Sequence, residues 1–232
     1  MEEVKGRVPW SPGESLLVLL ALLAAGFACS LLIRFLGLQI SLAAIYLLVG
    51  LAQAIVGLGG LYYYVYKKYS LNLQALGITA VNWERALTTG VSGGVALFIM
   101  VIIVGSILQK FIPEPDPQPF AELIINAQQP RDLLIPLFMG IILAPVTEEL
   151  YFRGFLFPAL KERYGVVAGF AGSSMLFGMV HLDLVRFFPL TVGGLGLAYL
   201  YHRSGNLLVP ITAHATWNGI MLYLLYISLQ WV

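Results

Sequence analysis

Charge is scarce in this sequence. Only 11% of the 232 residues are Asp, Glu, Lys or Arg, while 59% are hydrophobic. A soluble domain is nearer roughly 45–50% apolar and about 25% charged. The shortage excludes an ordinary water-soluble domain and leaves an integral membrane protein whose length suits one bundle. An excess of either sign is missing as well: the formal net charge is +1, so no basic field points to nucleic acid. Cysteine is almost absent. Cys29, the single one, lies in an apolar run, excludes an internal disulfide and reads as packing. Nothing resembles the Cys/His cluster of an iron–sulfur or structural zinc site, and the HExxH pair of soluble metalloproteases is missing.

What the chain has in abundance is long apolar runs. A bilayer-crossing helix needs about 20 such residues, and seven candidates are read: Ser15–Leu38, Ile40–Tyr66, Leu87–Gln109, Asp132–Leu160, Val166–Val185, Phe188–Tyr201 and Leu207–Leu229. The sixth is short and glycine-rich and is expected to be a half-span or to lie buried against its neighbours. The expected fold is all-α, a polytopic transmembrane bundle of about seven or eight spans. It is one integrated membrane domain, with residues 1–130 supplying N-terminal helices and residues 131–232 the polar ones. The first run follows Pro9–Glu14, lacks a small-residue cleavage site and is read as a retained helix.

Seven crossings place Lys5, Arg7, Lys67, Lys68, Arg85, Lys161, Arg163 and Arg203 on one side and Lys110, Arg131 and Arg186 on the other. The positive-inside rule then predicts a cytoplasmic N-terminus, in a bacterial plasma membrane or an internal membrane. Between Lys110 and Arg131, the alternating Pro113, Pro115, Pro117 and Pro119 predict an extended surface segment, followed by a short amphipathic piece at Phe120–Ile125. The Lys67–Arg85 connection is read as a second interfacial segment. Gly57/Gly59/Gly60, Gly90/Gly93/Gly94, Gly165/Gly169/Gly172 and Gly193/Gly194/Gly196 are read as close-packing positions with no chemistry.

Within the fourth run stands Thr147-Glu148-Glu149-Leu150-Tyr151-Phe152-Arg153. Each ionisable group at membrane depth costs about 2.5–3.5 kcal/mol, so such groups default to function. Glu149 and Arg153 are four apart on a helix and pair within a turn, which predicts a structural ion pair. Glu148 is rotated by about 100°, lacks that cation, and is the carboxyl suited to proton exchange. The next run ends in Phe177 and His181, four apart, so that a ring packs beside an imidazole. The last carries His214 and Asn218, also four apart, two hydrogen-bond donors on one face. One chemistry for this set is peptide hydrolysis: Glu148 and His181 hold and deprotonate water, and His214 and Asn218 donate to the oxyanion. A zinc reading uses Glu148, His181 and His214 as three ligands with a bound water. His202 beside Arg203, together with Trp217 and Tyr62–Tyr64, is read as ordinary interfacial or core packing.

Glu148, Glu149 and Arg153, then Phe177 and His181, then His214 and Asn218, on separate helices in this order, resemble the CAAX-protease and bacteriocin-processing family. These are the type II CAAX prenyl endopeptidases, also called Abi proteins. Ala144-Pro145 and Phe152-Arg153-Gly154 are similar as well, and the resemblance covers about Leu134–Asn218. It implies an all-helical intramembrane endopeptidase acting on a membrane-associated protein or peptide, with water activation by Glu148 and His181 and oxyanion binding by His214 and Asn218. It favours a metal-free mechanism, with membrane lipids and a peptide substrate as partners and no nucleic acid. Prenylated tails are cut by eukaryotic members; no prenyl-binding groove is read here. Rival readings are a non-catalytic scaffold or immunity factor with the same fold, a proton-coupled transporter, and a pigment or haem binder. No internal repeat supports transport, and a haem site leaves the carboxylates without a purpose.

Overall fold

The computed structural model describes residues 8–111 and 119–228. Lys5, Arg7, Pro113, Pro115, Pro117 and Leu229 lie outside them. The described residues form eight helices and no strand: α1 (Pro12–Phe35), α2 (Leu42–Lys68), α3 (Trp83–Leu108), α4 (Pro119–Ile125), α5 (Pro130–Tyr164), α6 (Val166–Met179), α7 (Leu184–Ser204) and α8 (Leu208–Ser228). A 3-10 turn at Leu73–Leu76 lies between α2 and α3. The chain is thus a polytopic helical membrane protein.

Six of these helices are long and apolar enough to span a bilayer; α6 is not. Its 14 residues rise about 21 Å at 1.5 Å each. The expected half-span is therefore α6, and the sixth run, read as short, is a full helix of 21 residues. The cause is local. Leu182 takes φ +52, and the Asp183 side chain accepts from the Val185 and Arg186 amides. An N-cap at Asp183 assigns Leu184–Phe187 to α7, so α6 stops short.

Polar caps set the other starts. Ser11 and Glu14 form a reciprocal capping box on α1, while Ser41 and Asn82 cap α2 and α3. Gly165 separates α5 from α6 at φ +88, where a side chain would be strained. Helix α4 coincides with the amphipathic piece expected at Phe120–Ile125 and buries Leu123 and Ile124.

Helix α5 is continuous but irregular. Pi-helical turns occupy Met139–Leu143 and Leu150–Leu156, each ending two residues before a proline, Pro145 and Pro158. A proline ring crowds the carbonyl four residues earlier and brings no N–H. Widening the preceding turn to an i→i+5 pattern relieves that crowding without breaking the helix. Pro145 is carried inside the helix.

The two ends of the bundle differ. At the end holding the start of α1, the Trp10 indole stacks on Phe155 at 4.8 Å and donates to its carbonyl at 2.8 Å. Glu14 receives Lys68 at 2.5 Å and Tyr69 at 2.8 Å. Asn206 donates to Thr79, and the Leu207 amide to the Gly77 carbonyl, tying the α7–α8 turn to the α2–α3 connection. Beneath them Val65, Phe155, Leu156 and Leu207 are buried. This end is sealed. Towards the other end a cavity remains.

Candidate active site

The cavity has a volume of about 660 Å³ and is lined by Glu148, His181, His214 and Asn218 among apolar groups from α1, α2, α3, α5 and α8. Residues of both halves of the chain therefore build it. Glu149 and Arg153 do not line it; they stand behind its wall, fully buried.

Arg153 holds that wall together. Its guanidinium donates to Glu149 Oε1 at 2.9 Å and to the Gly194 carbonyl of α7 at 3.0 Å. It also lies over the Phe177 ring of α6 at 4.6 Å, a cation–π contact worth about 2 kcal/mol when desolvated. Glu149 Oε1 is shared: His214 Nδ1 of α8 meets it at 2.9 Å. A buried ion loses several kcal/mol of hydration, regained only when its remaining atoms find partners. Here one guanidinium and one carboxylate connect α5, α6, α7 and α8. The carbonyl of Gly194 belongs to this arrangement, and reading its glycine as packing missed it. No local sequence signal marks a backbone acceptor on another helix.

Glu149 thus meets Arg153, the partner four residues on, and also His214, which the sequence reading assigned elsewhere. A carboxylate already paired with Arg153 accepts, so Nδ1 of His214 carries the hydrogen and Nε2 turns to the cavity. There it faces Glu148 Oε2 at 4.0 Å. That is too long for a direct hydrogen bond. The Glu148 side chain is 28% exposed, yet its Oε2 is buried without a partner among the described residues.

Glu148 and His181, expected to hold a water together, both line the cavity. The imidazole within ion-pair reach of Glu148 is that of His214. The reason lies in the early end of α6: His181 falls in the turn beyond Met179 and is exposed at the cavity edge. Its Nδ1 donates to the Phe177 carbonyl at 2.7 Å. A carbonyl only accepts, so in the neutral ring Nε2 keeps its lone pair. The rings of His181 and His214 both pack on Phe177, at 5.1 and 5.7 Å, and His214 is also stacked on Trp217 at 5.7 Å.

Asn218 is anchored by the irregular helix. The Ala144 amide reaches back to Met139, so the Gly140 carbonyl does not receive it, and five residues on stands Pro145 with no N–H. The vacant acceptor takes Asn218 Nδ2 at 2.8 Å, which fixes the amide orientation and leaves a second N–H. The two donors on α8 therefore each have one N–H tied to the scaffold.

The zinc reading asks three ligands to converge. Among the described residues no group of three His, Cys, Asp or Glu side chains is placed to hold a metal ion. No step is routed through a metal.

Residues 130–220 match the family model described as Type II CAAX prenyl endopeptidase Rce1-like. The chain carries an Rce1-like segment. That segment holds every polar group of the cavity wall named above. The chain is also similar to "Putative membrane peptidase YdiL" of Bacillus subtilis (strain 168), 38% identical over 99 residues, which is 40% of this chain and 40% of that relative. An "Uncharacterized 24.3 kDa protein" of Escherichia coli is 31% identical over 111 residues, 45% of this chain and 51% of the relative. The matched stretches thus cover about half or less of those relatives. No solved structure matches. The similarity to type II CAAX prenyl endopeptidases is thus confined to residues 130–220.

Proposed function

We propose that this protein is an intramembrane endopeptidase that hydrolyses a peptide bond of a membrane-associated protein or peptide, with Glu148 as the base. One observation carries the reading: a carboxylate oxygen without a hydrogen-bond partner among the described residues faces His214 Nε2 across 4.0 Å at the cavity wall. A water between them gives Glu148 its proton and attacks the carbonyl carbon. The Nε2 lone pair of His181, at the same cavity, is a second acceptor that orients the water. Negative charge then develops on the carbonyl oxygen. The free N–H of Asn218 donates to it, and so does His214 Nε2 when that ring is doubly protonated. Collapse of the intermediate breaks the C–N bond, and the proton held by Glu148 passes to the leaving nitrogen. Glu149 and Arg153 orient His214 from behind and do not touch substrate.

The test is cleavage by purified protein of a peptide panel, prenylated and unmodified, in detergent. Glu148→Gln keeps the shape of the side chain and removes the base. Turnover falls by about 100–10,000-fold, the usual range for general base catalysis, while the melting temperature is retained. Equal turnover in wild type and variant sinks the assignment. The mechanism is metal-free: chelation leaves activity intact. Stoichiometric metal in active protein, with activity lost to a chelator and restored by added metal, overturns that part and leaves the site residues standing.

A further inference from the structure

One polar group of the cavity has no part in the site described above. Gln53, in the middle of α2, lines it, and no other residue from Leu42 to Leu61 carries an amide or a charge. Neighbouring contacts fix where its carboxamide stands. On α1, a Cβ at Gly26 would come within 2.6 Å of Gln53 Nε2 and 2.9 Å of its Cδ, so the side chain lies against bare backbone there. On α5, a Cβ at Gly50 would come within 2.9 Å of Met139 Cε, and further along the Tyr64 ring lies 5.9 Å from that of Phe155. Between those two anchors α2 runs beside α5 in the same direction. Gln53 is three residues beyond Gly50 and rises about 4.5 Å from it. That brings it to the level of the segment Ala144–Glu149, which carries Glu148.

A carboxamide offers two N–H groups and an acceptor oxygen. Those of Gln53 make no hydrogen bond among the described residues. Other polar side chains of the lining are tied to the scaffold: Asn218 donates to the Gly140 carbonyl and Thr147 to that of Leu143. An unpaired amide is costly at membrane depth, and the open side of this one is the cavity. A peptide bond that enters the same cavity leaves water and has the complementary need, an acceptor for its N–H and a donor for its carbonyl. We propose that Gln53 is a substrate-binding residue: Oε1 accepts from one backbone N–H of the peptide, and Nε2 donates to a backbone carbonyl, beside the bond that is cut. The contact reads backbone and not side chains. The substrate it selects is an extended segment with a free N–H at that position, tolerant of sequence. Gly26 keeps the place for the carboxamide. This deepens the endopeptidase reading and rests on it.

A cycle between enzyme variant and substrate tests this on the full chain in detergent. The probe is the best-cleaved peptide of the panel, remade with one N-methyl group at each non-scissile amide in turn. Each N-methyl group removes one peptide N–H and leaves the side chains as they were. With wild type, one position raises KM about 5–100-fold, the range for leaving a buried polar group unpaired. Gln53→Met keeps the length of the side chain and removes its bonding groups. It raises KM for the parent peptide by a similar factor, leaves kcat near wild type, and loses most of the penalty at that one N-methyl position. Gly26→Ala pushes the carboxamide aside without removing it. It raises KM in the same direction, and it answers for Gln53→Met should that variant melt early. Unchanged KM in both variants, or N-methyl penalties equal in wild type and variant, means that Gln53 only holds cavity water, and overturns the proposal. The same cycle read as equilibrium binding to Glu148→Gln protein separates the two readings. Coupled binding with no cleavage by wild type sinks the endopeptidase reading and leaves Gln53 a peptide-binding residue. Cleavage without coupling sinks the role of Gln53 alone, and neither binding nor cleavage sinks both.

Discussion

The sealed end and the open end of this bundle are built from the same helices by opposite means. At the sealed end, large rings and aliphatic chains close on one another, and the polar groups named there, the Trp10 N–H, Glu14 and Asn206, have partners. At the open end polar groups converge and packing is incomplete: a cavity persists, and Glu148 Oε2 and Glu149 Oε2 lack hydrogen-bond partners among the described residues. In lipid, helices gain little from burying apolar surface against one another, so tight contact and satisfied hydrogen bonds carry stability. The protein invests those in one end and leaves reactive groups at the other. Between the two stands Arg153, fully buried, which belongs to the packing of the first and shapes the chemistry of the second.

Arg153→Ala breaks the comparison most severely. It strands the Glu149 charge, releases Gly194 and removes the contact over Phe177. Loss of one partner of a buried pair costs about 3–5 kcal/mol, so thermal melts in detergent fall steeply and His214 loses its fixed orientation. An unchanged melt means the pair contributes nothing to the wall. Trp10→Ala attacks the sealed end alone. Deleting a large buried ring costs about 3–5 kcal/mol, here at the membrane edge and near the lower figure. Turnover per folded molecule stays near wild type, because Trp10 is not part of the cavity. A variant that melts normally but cleaves poorly reverses the division of labour.

Asn218→Ala attacks the open end alone. Removing one oxyanion donor typically lowers turnover about 100–1,000-fold, with substrate binding retained in equilibrium measurements. The Gly140 carbonyl loses its donor too, so a modest drop in melting temperature accompanies the loss. Selective loss of binding with turnover intact removes Asn218 from the oxyanion role.

The smallest effect is at the cavity mouth. Burial works against ionisation of Asp183, but the amides of Arg186 and Val185 and the Arg186 guanidinium outweigh it and hold the carboxyl below its usual range. A carboxyl depressed in the folded state contributes stability above its unfolded value, about 3.9, and loses it as pH falls through the folded one. Asp183→Asn keeps a capping oxygen and loses the charge, so at neutral pH it costs less than about 1 kcal/mol. The difference from wild type vanishes in acid. A difference that grows as pH falls contradicts the sign.

Much of this molecule was readable along the chain. Composition alone decides between water and lipid as solvent, because 59% hydrophobic residues cannot be hidden inside 232 of them. Runs of apolar residues locate the helices, and a four-residue spacing brings Glu149 to Arg153 and Phe177 to His181, since a helical turn is a local object. The motif order also leads to the Rce1-like segment. What lay beyond reach was everything set by how helices rotate against one another. In lipid both the buried and the exposed faces are apolar, so hydropathy carries little record of which side faces in. The proline-driven π turns of α5 then shift the register of its side chains. The tertiary structure alone decided that His214 comes within 4.0 Å of Glu148, that Asn218 answers a carbonyl freed by Pro145, and that α6 ends before His181. It alone sealed one end of the bundle and left the other open, because contact between distant segments is settled by shape and hydrogen-bond satisfaction in three dimensions.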